Sequence, residues 1–192
     1  MAFHHVALAT RDLAATHAFY TDVMSFTLVK GVAADSNDTG SWAKHLFYDT
    51  GGNGLIAFWE LHGDDIPDTW SPAISTGLGL PEWVNHLAFD APDLDALEAR
   101  KQHWLDAGQF VAEIDHGWCT SIYTTDPNGI LVEFCTTTQS FTDADRADAA
   151  RVLAEAEPAR EAPPVAELYD GRARPVREAT STAADRARAN AP

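Results

Sequence analysis

Two segments of the chain begin alike, and that internal repeat constrains the fold more than any other feature. His5-Val-Ala7 recurs as His86-Leu-Ala88, 81 residues later, and Asp12-Leu13 follows the first histidine at the offsets where Asp93-Leu94 follows the second. In both places a short apolar run of strand type leads to an Asp able to cap a helix. The spacing predicts a first helix over residues 13–24 and a second over residues 94–107, the second stopping at Gly108. Strand-like runs follow at 42–48 and 55–61, then at 120–125 and 130–135. Gly51-Gly52-Asn53-Gly54 and Asp126-Pro127-Asn128-Gly129 supply the hairpin turns. Each half therefore reads strand–helix–strand–strand–strand. The fold class is α+β: two βαβββ modules, residues 1–61 and 83–139, forming curved mixed sheets around a cleft. The Pro-containing segment 62–82 is the linker.

Composition separates a tail from these modules. Residues 140–192 hold 16 Ala, 5 Pro and 8 Arg but no Lys, Trp or Cys. Thr142 or Asp143 caps one expected helix there; beyond Pro158 the apolar content is too low to offset chain entropy, so disorder or loose packing is expected. The chain carries a net charge of −16, with 13 basic residues against 29 acidic ones, and residues 1–139 account for −14 of it. That balance argues against nucleic acid and anionic membrane surfaces as main partners. Residues 1–10 lack the basic and apolar regions of a secretory signal, and no run approaches the length needed to span a bilayer. Two cysteines, Cys119 and Cys135, outside any CxxC pair, fit a reducing cytoplasm. GxSxG, HExxH and phosphate-cradling glycine loops are absent from the sequence.

Strand alternation places His5 on one face with Phe3, Ala7 and Ala9, and His86 on one face with Ala88. Modules related by a pseudo-twofold axis would bring these faces, and so the two histidines, together. Glu133 sits between Val132 and Phe134 in the last strand of module two, where a carboxylate is costly to bury unless paired or bound to a cation. Two histidines and one carboxylate match the facial triad that holds a divalent metal and leaves positions open for substrate. The same residues also read as two satisfied core histidines and an edge glutamate. His4, His17, His62 and His103 read as structural or solvated.

The runs HVALATRDLAATHAFYTDVMSF, NHLAFDAPDLDAL and SIYTTDPNGILVEF resemble the vicinal oxygen chelate superfamily, which includes glyoxalase I, bleomycin-binding proteins and extradiol ring-cleaving dioxygenases. The resemblance covers residues 3–137 and implies metal ligands at His5, His86 and Glu133. It implies a fourth ligand from the last strand of module one in glyoxalase-type isomerases. Aligning the hairpin glycines puts Phe58 at that position, while a turn differing by two residues restores Glu60. Tyr123, ten residues before Glu133, and His45 resemble the tyrosine and the acid–base histidine of extradiol dioxygenases; His116 is a further candidate polar group of the pocket. Phe58, Trp59 and Trp118 are candidate aromatic walls. The leading expectation is an oxidoreductase using Fe(II), or Mn(II), with O2 on a catechol- or hydroquinone-like aromatic, and a homodimer. The alternatives are a glyoxalase- or epimerase-like isomerase or lyase using Ni(II), Co(II) or Zn(II), and a protein of the bleomycin-binding type that sequesters a small molecule.

Overall fold

The computed structural model describes residues 3–36, 40–52, 54–172 and 178–179. Module one runs β1 (His5–Thr10), α1 (Leu13–Ala18), β2 (Thr27–Ser36), β3 (Ser41–Asp49) and β4 (Leu55–His62). Module two repeats the order as β5 (His86–Asp90), α2 (Leu94–Asp106), β6 (Phe110–Asp115), β7 (Cys119–Thr125) and β8 (Leu131–Thr137). The helix starts are built alike: Asp12 Oδ1 accepts from the Ala15 amide at 2.9 Å and Asp93 Oδ1 from the Ala96 amide at 2.8 Å. α1 ends sooner than the sequence suggests. A π-helical turn, Phe19–Val23, replaces its second half and turns Phe19, Tyr20 and Val23 into the core.

The first sheet has the order β1-β4-β3-β2, and the second continues β5-β8-β7-β6 with two further strands, β9 (Ala166–Asp170) and β10 (Glu178–Ala179). In each module the first strand pairs in parallel with the last. β9 corrects the expectation of a loosely packed tail: it pairs antiparallel with β6, and Tyr169 is buried. Gly171 follows it so closely that a Cβ there would clash with the Leu105 carbonyl oxygen. Before β9, α3 (Asp143–Ala154) is an exposed helix closed by a Thr142–Asp145 capping box. Most of the remaining tail lies outside the described residues.

α1 packs on β4 and α2 across β6, β7 and β8, and both helix-bearing faces feed one core. Phe26, just past α1, meets Phe89 at 5.0 Å and Phe134 at 6.3 Å between ring centroids. A buried polar knot locks the modules. Asp126, in the β7–β8 turn, accepts from Tyr20 of module one at 3.1 Å and from the Ile130 amide at 2.9 Å, while Asn128 Nδ2 reaches Thr16 Oγ1 at 3.2 Å. His17 and His103 are structural, bonded to the Tyr48 hydroxyl and the Asp22 carbonyl. With the helix-bearing faces spent on the core, the opposite face of each sheet is left for chemistry.

Candidate metal centre

On the open face of module two, His86 and Glu133 meet. Nε2 of His86 lies 3.0 Å from Oε2 of Glu133, and Glu133 is 5% exposed. Nδ1 of His86 is 3.0 Å from the Trp83 carbonyl, which can only accept, so Nδ1 carries the proton. In a neutral imidazole Nε2 is then a bare lone pair facing a carboxylate. Two acceptors at this distance require a cation between them, either a proton or a metal. Two donors at right angles around a cation, each roughly 2.1 Å away, lie about 3 Å apart. The donor set therefore fits a divalent metal, with the backbone carbonyl of Trp83 fixing the tautomer. That carbonyl is an orienting group that the residue pattern gave no sign of.

Tyr123 stands directly across from Glu133 in the β7–β8 register, and His116 Nε2 is 3.0 Å from its hydroxyl. Burial, and then the Glu133 carboxylate, hold the phenol well above its ordinary range, so it stays protonated and donates. The neighbouring Cys119 thiol is pushed up to about 11, by burial first and then by Cys135, which makes it a poor nucleophile at neutral pH.

Module one presents a separate group. His5 meets the edge of Phe47 at 5.7 Å, and its Nδ1 is 2.8 Å from that of His4. His45 stacks on Trp59 at 3.6 Å and touches Phe47 at 4.0 Å. Its Nε2 is buried without a hydrogen-bond partner. Burial, and then the charge of His5, push His45 below the ordinary imidazole range. His5 is not joined to His86 and Glu133 within the chain. Among the described residues no three His, Cys, Asp or Glu side chains form a group that could hold a metal ion. The expected convergence of the two histidines is corrected to that extent.

Two further expectations change with the register. His5 pairs with Leu55 and His86 with Leu131, so the residue equivalent to Glu133 is Ala57. β8 starts one residue later after its glycine than β4 does, because Ile130 intervenes, and a one-residue slip reverses every side chain. Phe58 accordingly faces the core, fully buried at 4.6 Å from Tyr20, and is no wall of the cleft. Glu60 shares that inner face and pairs there with Lys44 at 2.7 Å and His62 at 2.8 Å. Trp118 packs on Phe141 at 5.1 Å, where the tail leaves module two.

The family model of the Glyoxalase/Bleomycin resistance protein/Dioxygenase superfamily matches residues 2–134. The chain belongs to this superfamily. A superfamily domain from Frankia sp. EAN1pec shares the fold, with 18% identity over 69% of this chain and 94% of that one and a TM-score of 0.51. A second solved structure, SMU.1112c, has 21% identity over 70% and 98% of the two chains and a TM-score of 0.50. The uncharacterized protein YaeR of Escherichia coli (strain K12) is 34% identical over 96 residues, which span 50% of this chain and 65% of that protein. Superfamily membership fixes the vicinal oxygen chelate architecture and leaves the reaction to the site, since one fold hosts many chemistries. Among the described residues no helix is long and apolar enough to cross a membrane.

Proposed function

We propose that the protein is a metal-dependent oxidoreductase in which His86 and Glu133 of one copy and His5 of a second copy hold a divalent metal, Fe(II) or Mn(II). The substrate is a catechol- or hydroquinone-like aromatic, opened by dioxygen with both oxygen atoms retained in the product. The observation that carries this reading is the His86–Glu133 pair with Ala57, and not a carboxylate, at the equivalent position of module one. A three-ligand set leaves open positions for a chelating substrate and O2, whereas the four-ligand isomerase pattern needs the carboxylate that Glu60 turns to the opposite face.

When bound, the metal supplies Lewis acidity and the electron chemistry toward dioxygen. The chain supplies the rest. Trp83 holds His86 in the ligating tautomer. Tyr123 keeps its proton and, with His116 Nε2–H donating to the phenol oxygen and orienting it, offers that proton as a hydrogen bond beside Glu133. His45, kept neutral by burial, is a base for the substrate hydroxyl on the module-one side of the cleft.

The strand edges support the second copy. β1 and β5, which carry His5 and His86, are edge strands of their sheets among the described residues. Exposed apolar residues, Phe3 and Val6 by β1 and Trp83 and Val84 by β5, flank them. The Tyr20–Asp126 knot holds the modules on their other side, so each open edge is left for a partner of complementary ligand content. Metal analysis of anaerobically purified protein, followed by oxygen uptake over a catechol panel, tests the activity. Iron or manganese with stoichiometric oxygen consumption is expected. Zinc or nickel at full occupancy, with no oxygen consumed, would contradict it; retained aromatic affinity after His86→Ala would point to sequestration instead.

A further inference from the structure

The face that carries Glu133 continues into a cavity of about 250 Å3. Phe110 and Ala112 of β6, Tyr123 and Thr125 of β7 and Leu131 of β8 line it. Pairing of Ala112 with Tyr123, and of Thr125 with Leu131, sets all five on the Glu133 side of the sheet. Leu131 also pairs with His86 across the parallel β5–β8 ladder, so the cavity opens one strand away from the ligating imidazole. Phe110 is 45% exposed, a large apolar ring facing open space on this wall. At the rim Glu82, from the linker end, accepts from Thr125 Oγ1 through Oε1 at 2.7 Å, which leaves Oε2 available.

We propose that this cavity seats the part of the substrate distal to the metal, and that Glu82 selects an aromatic ring bearing a neutral or cationic hydrogen-bond-donating tail over one bearing an anionic tail. The inference rests on the aromatic-substrate reading above and adds the tail chemistry to it. Size comes first: pockets for drug-sized ligands run from about 300 Å3 upward, so this one suits a single ring with a short substituent. Charge comes second. Glu82 is the only ionised side chain among those lining the cavity, and no cation lines it. A carboxylate tail would sit unpaired beside a like charge, whereas an ammonium or hydroxyl tail finds the second oxygen of Glu82. The net −14 of residues 1–139 biases encounter in the same direction.

The test uses three catechols of similar size: dopamine, 4-ethylcatechol and 3,4-dihydroxyphenylacetate. Each is titrated calorimetrically into the full chain loaded with Zn(II), which binds without oxygen chemistry, and into the chain stripped by a chelator. Dopamine should bind at least about tenfold more tightly than 3,4-dihydroxyphenylacetate, and Glu82→Gln should bring the ratio to within about twofold. Ala112→Phe, which fills the cavity, should weaken all three by more than about tenfold. Metal-dependent binding with no tail preference, or a preference that survives Glu82→Gln, overturns the subsite and leaves the metal reading standing. A tail preference with affinities that are themselves the same with and without metal supports the subsite and contradicts the metal reading. Failure of all three to bind in either state overturns both.

Discussion

At the scale of single residues, the candidate metal centre depends on which atoms are left with lone pairs. The Trp83 carbonyl accepts a hydrogen bond from Nδ1–H of His86, and Nε2 is thereby committed to whatever cation Glu133 also meets. Glu133→Gln keeps the shape and removes the charge. It should lower divalent-metal affinity by at least about a hundredfold, measured by competition with a fluorescent chelator. His45 gives a pH signature. Its pKa is depressed in the folded chain, so the unfolded chain binds that proton more tightly. The stability it contributes is present above about pH 6.5 and drains as pH falls through the window just below. Urea denaturation at about pH 7.5 and about pH 5.5 should show this loss, and His45→Phe should reduce it; an unchanged slope would contradict the burial argument. His86 and Glu133 were legible in the sequence because strand parity is local and a carboxylate between Val132 and Phe134 demands a partner. The true places of Phe58 and Glu60 were not, because one intervening residue, Ile130, decides the register and pairing is not a local property.

At the scale of elements, the β7–β8 turn does more than reverse the chain. Asp126 is 4% exposed and is held by donors from two modules, so its carboxylate is the hinge pin of the intramolecular docking. Tyr20→Phe removes one donor from a buried carboxylate and should cost about 1.5–3 kcal/mol in chemical denaturation. β9 is the other element with a consequence. It covers the β6 edge, and Gly171 permits the close approach that seats it. Gly171→Ala should destabilise by about 1–3 kcal/mol and raise amide exchange in residues 166–170 while β8 stays protected. The repeated order of strands and helices was visible from two capping aspartates and two glycine-bounded turns. The second strand of each module was counted in that order but given no residues, and β9 was not expected at all, because their signal is partner strands far away in sequence. Only Leu168 and Tyr169 mark β9 in a stretch whose composition otherwise argues against packing.

At the scale of the molecule, the helix-bearing faces are consumed in one shared core, and the proposed ligands His5, His86 and Glu133 lie on two open faces that do not meet inside the chain. The central claim is that a second copy completes each site, His5 of one chain joining His86 and Glu133 of the other. His5→Ala and Glu133→Ala each remove one ligand from every site, so either variant alone should hold little metal. Unfolding and refolding them together in equal amounts lets heterodimers form, in which one of the two sites regains all three ligands. Metal content of the mixture, read by elemental analysis after desalting, should return to about a quarter of the wild-type value, since half the dimers are mixed and half their sites are whole. A mixture that holds no more metal than the separate variants would contradict the shared site.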